Sequence, residues 1–187
     1  MNRNVTLNVI LLSVLVLALA APLVAPLIAQ LTAQRRSENV EVTVEDLAAT
    51  PVGVSITLRA SDSSDRIRML IGVSEGRSIA RAIRGRKSSR PMTHDLFKEF
   101  LDRNGWKVQK VLIRDLASGT FLADLTVEKG RETQVYDARP SDAIAIALRF
   151  GAKIYVSKHV FDQQRENEER QEKPVKPDSS EPETLRL

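Results

Sequence analysis

The stretch DARPSDAIAIALRFGAKIYV, Asp137 to Val156, carries the clearest structural signal in the chain. Pro140 presets a backbone angle suited to a first helical turn, and Ser141 and Asp142 are residues that favour a helix start. Ile144, Ile146 and Leu148 then supply the apolar side chains, until Gly151 offers a stop. Ile154-Tyr155-Val156 follows, a short branched and aromatic run that suits a strand. A helix followed by a strand is the unit of a mixed fold.

Moving upstream, the same grammar recurs. Arg90-Pro91-Met92-Thr93-His94-Asp95 precedes a helical pattern that ends at Asn104-Gly105, and Trp106 to Ile113 alternates as a strand. Thr93 is the expected N-cap, and Leu96, Phe97, Phe100 and Leu101 form the expected buried stripe. Both units thus set Arg-Pro and an acid before a helix, then a glycine, then a strand. Further strands are expected at Val40–Glu45, Val54–Leu58, Ile67–Val73, Phe121–Val127 and Thr133–Tyr136, with a helix from Ser74 to about Ile83. The whole predicts an α+β fold: one compact domain with a mixed or antiparallel sheet and two to three helices, preceded by an N-terminal hydrophobic helix.

The flanks differ from this core. Asn4 to Gln34 contains no charged residue, and Val9 to Ala29 is almost wholly aliphatic, long enough as a helix to match a hydrocarbon layer of about 30 Å. Residues 1–36 therefore read as a membrane anchor or as a secretory signal, with Ala18-Leu19-Ala20 as the cleavage site in the second case. Either reading makes the protein anchored by a single span or exported. The domain is expected outside the cytoplasm, although Arg35 and Arg36 beyond the span pull the other way. Residues 37–161 form the expected domain. From Asp162 to Leu187 there are eight acids, five bases and three prolines, a tail too polar to order itself, although Gln163 to Lys173 has the makings of a solvated helix.

Absence of cysteine excludes a disulfide scaffold, a thiolate metal site and a cysteine nucleophile. The net charge of +4 is unevenly placed: between Arg66 and Arg90 stand eight bases against one acid, Glu75. That run reads either as a phosphate-binding surface, with Arg81, Arg84, Arg86 and Arg90 as its contacts, or as a solvated helix face. One Trp, two Tyr and five Phe make a poor supply for a base-stacking platform, since Phe97 and Phe100 are assigned to the core. Contacts to nucleic acid are therefore expected at phosphates, indifferent to sequence and sensitive to salt.

Four motifs now stand in order: Ile71-Gly72-x-x-Glu75, Arg90-Pro91-x-Thr93-His94-Asp95-Leu96, Gly119-Thr120-Phe121 and Asp137-Ala138-Arg139-Pro140-Ser141-Asp142-Ala143-Ile144-Ala145. Together they resemble the bifunctional nuclease domain, a small α+β family described as degrading both DNA and RNA. The likeness spans about Val40 to Phe161. It departs where the family usually has alanine after the glutamate and this chain has Gly76, and where tyrosine often follows the phenylalanine and this chain has Leu122.

The resemblance implies a sequence-nonspecific nuclease, with the motif residues supplying its chemistry. Phosphodiester hydrolysis needs an activated water and charge stabilisation on the phosphoryl oxygens. His94, Asp95, Asp137 and Asp142 are the candidate catalytic groups, and Arg90 and Arg139 the candidate phosphate clamps. Glu75, Asp137 and Asp142 are candidate ligands for a divalent cation, Mg²⁺ or Mn²⁺. Each has a plainer reading: Asp95 and Asp142 as partners of helix N-termini, Arg139 as an internal ion pair, Glu75 as a helix surface residue. The alternative function is a non-catalytic binding module, a homo-oligomer whose Arg-rich segment docks nucleic acid or an anionic membrane surface.

Overall fold

The computed structural model describes residues 39–172 apart from residue 87, with side chains described through residue 169. β1 (Asn39–Thr50), β2 (Gly53–Ala60) and β3 (Arg66–Ile71) form one antiparallel meander. β4 (Lys107–Ala117), β5 (Thr120–Lys129) and β6 (Glu132–Ala138) form a second. The last strand, β7 (Lys153–Ser157), joins them, antiparallel to β1 and parallel to β4. The seven-stranded mixed sheet therefore runs β3-β2-β1-β7-β4-β5-β6.

Alternation explains the strands. In β3, Ile67, Met69 and Ile71 are buried while Arg66, Arg68 and Leu70 face out. Ile56, Leu58, Val111, Ile113, Leu125, Val127, Ile154 and Val156 continue the same core.

Four helices are present among the described residues, one more than the upper expectation: α1 (Val73–Ile83), α2 (Thr93–Arg103), α3 (Pro140–Phe150) and α4 (Lys158–Glu172). α3 is central, touching α1, α2 and strands β4, β5 and β7. Its alanines at 143, 145 and 147 are wholly buried, and their small size lets the helix sit close to its neighbours on several sides. Gly151 stops it in the left-handed conformation (φ 64°), and Gly105 (φ 76°) turns the chain after α2 in the same way. The two Arg-Pro units are neighbours in space: α2 rests on α3, and β4 runs parallel to β7.

Three expectations are corrected. The charged stretch from Asp162 follows the helical alternative and not the disordered one as far as Glu172, and Val160 and Phe161 anchor α4 in the core. The domain limit expected at Phe161 thus falls inside a helix. The predicted stripe of α2 is buried only at Leu101; Leu96, Phe97 and Phe100 are exposed, because α2 leans on α3 rather than lying across the sheet. Finally, α2 begins at Thr93 itself, with Met92 as its cap position. Among the described residues no helix is long and apolar enough to cross a membrane. The segment read as an anchor or signal, and the tail after residue 172, lie outside the described residues.

Candidate active site

Three helix starts converge beside α3, and each carries an acid at its third residue. Counting from the cap positions Gly72, Met92 and Arg139, these are Glu75, Asp95 and Asp142. Acids are favoured there by the partial positive charge of a helix N-terminus. Only Asp95 closes back on its own cap, accepting the Met92 amide at 3.0 Å. The other two turn towards a shared cation.

That cation is Arg139. Its Nε donates to Asp142 Oδ2 at 2.7 Å, and its Nη2 donates to Asp142 Oδ1 at 3.1 Å and to Glu75 Oε1 at 3.0 Å. The two carboxylates raise the guanidinium further above its already high value, Asp142 more than Glu75. Glu75 reaches this position by folding over Gly72, where an added Cβ would lie 2.1 Å from Oε2. Despite these bonds the Arg139 side chain is 69% exposed, against 17% for Glu75 and 27% for Asp142.

His94 enters from α2. Its Nε2 lies 3.1 Å from Asp142 Oδ1 and its Nδ1 lies 3.0 Å from the Ser78 hydroxyl, with the imidazole 13% exposed. Arg149 Nη2 donates to that hydroxyl oxygen at 3.0 Å. A serine oxygen engaged by a guanidinium still has its own proton to give, and His94 Nδ1 is the acceptor in range. This assigns the Nε2–H tautomer, which points its hydrogen at Asp142. The chain of bonds thus runs Arg149, Ser78, His94, Asp142, Arg139, Glu75, through three helices.

Arg149 is the buried end of this chain, its side chain only 8% exposed. It also donates to Asp95 Oδ1 at 2.7 Å and to the Ala145 carbonyl at 2.7 Å. Burial pushes the Asp95 carboxyl up, but the Met92 amide, the Arg149 bond and charge, and Arg81 together hold it below the usual aspartate value. Asp95 is accordingly accounted for by its cap and its ion pair.

Asp137 stands apart from Glu75 and Asp142 in its pairing. It lies opposite Asp124 in the β5–β6 ladder, where two like charges would repel, and Arg114 bridges them at 2.9 and 3.1 Å. Among the described residues no group of three His, Asp or Glu side chains is placed to hold a metal ion. Glu75 and Asp142 meet a guanidinium, and Asp137 meets another. The proposed ligand set is therefore not gathered, and no metal-dependent step is built on it. Of the expected phosphate contacts, Arg84, Arg86 and Arg90 are exposed and form no ion pair with a described residue, while Arg81 is half-buried near Asp95.

Ser78 and Arg149 were not among the residues singled out in the sequence. Both were reachable by helical spacing: Ser78 is three residues from Glu75, and Arg149 is seven from Asp142, hence on the same faces. The aromatic residues were harder to foresee. A groove of about 640 Å³ opens beside the cluster, lined by His94, Arg139, Asp137 and Asp142 at one part and by Phe97, Phe100, Trp106 and Tyr136 elsewhere. Four of the chain's eight aromatic residues gather there.

The bifunctional nuclease domain profile matches residues 56–169, more than half of the chain. The chain belongs to the bifunctional nuclease domain family. An uncharacterised protein of Mycobacterium tuberculosis is 38% identical over 124 residues, covering 66% of this chain and 72% of its own. Bifunctional nuclease 2 of Oryza sativa subsp. japonica is 36% identical over 107 residues, 54% of this chain and 33% of the plant protein. Bifunctional nuclease 1 of Arabidopsis thaliana is 33% identical over 75 residues, 38% of this chain and 23% of its own. The plant relatives thus share with this bifunctional nuclease domain only a third of their length or less.

Proposed function

We propose that the protein is a sequence-independent nuclease that hydrolyses phosphodiester bonds of DNA and RNA. The observation that carries this reading is the convergence of Arg139, Asp142 and His94 on one open groove, in a chain of this family. Arg139 is exposed enough to meet a phosphate and has the planar fork that binds one bidentately. A phosphate that draws the guanidinium towards itself frees Asp142 Oδ2. The freed oxygen takes a proton from a water that attacks phosphorus, while Arg139 balances the charge growing on the phosphoryl oxygens. His94 Nε2–H stays on Oδ1 and fixes the carboxylate plane. Glu75 steers Arg139, and the leaving oxygen is protonated by solvent at the open side of the groove. The exposed Arg84, Arg86 and Arg90 supply docking contacts along the backbone. The uncharged N-terminal segment supports membrane attachment or export of the domain.

One observation favours the other reading, a non-catalytic binding module: Arg139 already satisfies both carboxylates. Cleavage of labelled single-stranded DNA and RNA by full-length protein free of host nuclease, alongside Asp142→Asn, Arg139→Lys, His94→Gln and His94→Ala, separates the two. The hydrolytic reading expects Asp142→Asn to lose about a hundredfold or more in rate with binding retained. His94→Gln, which keeps an N–H donor, should outperform His94→Ala. A wild-type preparation that binds but never cuts would leave the binding module.

A further inference from the structure

The polar part of the groove accounts for a phosphate, but its apolar part has no role in that chemistry. Phe97 and Phe100 come from α2, Tyr136 from β6, and Trp106 from the turn between α2 and β4. Phe100 and Tyr136 are 59% and 51% exposed. Clustered aromatic exposure of this kind marks a binding surface rather than ordinary surface composition.

Three features name its occupant. The aromatic part is continuous with Arg139, so whatever binds joins an anion to an apolar group. The volume, about 640 Å³, is that of a pocket for a small planar ligand rather than of an extended protein interface. Gln134 lines the same groove; its amide donates to Glu132 and accepts from the Tyr136 hydroxyl, and keeps a second N–H and a second lone pair for a polar ring edge. A nucleotide has all three properties.

We infer that the groove is a nucleobase subsite, holding one unstacked base of a single strand against Phe97, Phe100 and Tyr136 while the adjoining phosphate sits on Arg139. The identity of the anion rests on the nuclease reading above. Aromatic walls and one adaptable amide accept any base, because every base offers a π face. In a duplex the bases are paired and stacked inward, so the subsite selects single strands and frayed ends.

Trp106 is the only tryptophan of the chain and lines the groove, which makes its fluorescence a local reporter. Full-length protein in mild detergent is titrated with phosphorothioate-linked pentathymidylate and with an abasic oligomer of the same length and linkage. The thymidylate should quench Trp106 and bind about tenfold more tightly than the abasic chain. Phe100→Ala and Tyr136→Ala, both at exposed positions, should bring that ratio close to one and leave abasic affinity unchanged. Arg139→Ala should weaken both ligands alike. Equal affinities, or fluorescence indifferent to the base, would overturn the subsite. So would groove variants that alter sedimentation mass but not the base ratio, which would assign this face to contact between copies of the chain. Base-dependent binding without cleavage would refute the hydrolase and leave the subsite standing; cleavage indifferent to base loss would do the reverse.

Discussion

Ser78 and His94, on adjacent helices, meet through a 3.0 Å contact between the serine hydroxyl and Nδ1. Because Arg149 donates to the same hydroxyl oxygen, the serine proton is directed at the ring and the ring proton at Asp142. Ser78 is 2% exposed, so its part is to orient His94 and not to attack substrate.

Ser78→Ala should therefore release the imidazole from its tautomer and position. Cleavage should slow by about ten- to a hundredfold, as expected when a group near the reacting atoms is misplaced, with oligonucleotide affinity held within about twofold. Leaving Arg149 Nη2 and His94 Nδ1 without this partner should cost about 1–3 kcal/mol in urea unfolding. Nitrogen chemical shifts of the ring report the tautomer directly: the Nε2–H signature should be clear in the wild type and weakened in the variant. An unchanged rate with a changed tautomer would show that His94 orientation is irrelevant to the reaction.

The pH dependence of stability should carry the mark of Asp95. Its carboxyl titrates below the ordinary 3.8 in the folded protein, so the unfolded chain takes up its proton first as pH falls. The stabilisation is complete above 3.8 and disappears as the pH drops through the lower folded-state value. Asp95→Asn should lower the urea midpoint at pH 7, and the gap to wild type should narrow on acidification to pH 3. A gap that is constant with pH would mean the charge of Asp95 does not matter.

Gly76 is a packing requirement. A Cβ there would stand 2.7 Å from Val54 Cγ2 and 2.8 Å from Val54 Cβ, where α1 crosses β2. Alanine gains about 1 kcal/mol in helix propensity, but the overpacking should outweigh it and leave Gly76→Ala destabilised by about 1–2 kcal/mol. Val54→Ala in the same chain removes both Cγ contacts but keeps the Cβ, so it should recover only part of that loss. Additive losses in the double variant would refute the contact.

Arg84, Arg86 and Arg90 have no described ion-pair partner, which leaves them open to phosphates. Replacing all three by Ala should make the plot of log affinity against log salt shallower by about 2 for single-stranded DNA. An unaltered slope would place the docking surface elsewhere.

The elements and their order were legible because period and punctuation agree: Pro140 and Gly151 bracket α3, and Ile67, Met69 and Ile71 alternate in β3. The meeting of His94 with Asp142 was legible only as two similar corners, since their separation of 48 residues is closed by tertiary packing. Phe97 and Phe100 misled for a clear reason: apolar helical spacing shows that a face exists but not what covers it. The helix at Gln163 to Lys173 was visible as an alternative, but its start at Lys158 and its hold on the core were not, for the converse reason. Val160 and Phe161 hold α4 from its first turn, and tertiary anchoring of that kind overrides an unpromising composition.

The position of β7 has a temporal consequence. Glu75 and Ser78 ride on the half of the sheet made first, His94 and Asp142 on the half made later, and the hydrogen-bonded seam between the halves is residues 153–157. A chain still emerging from the ribosome, which delivers these residues in order, lacks the strand pairing that joins the two meanders. The hydrogen-bonded frame under the two sides of the cleft is thereby closed only when that last-delivered strand takes its place.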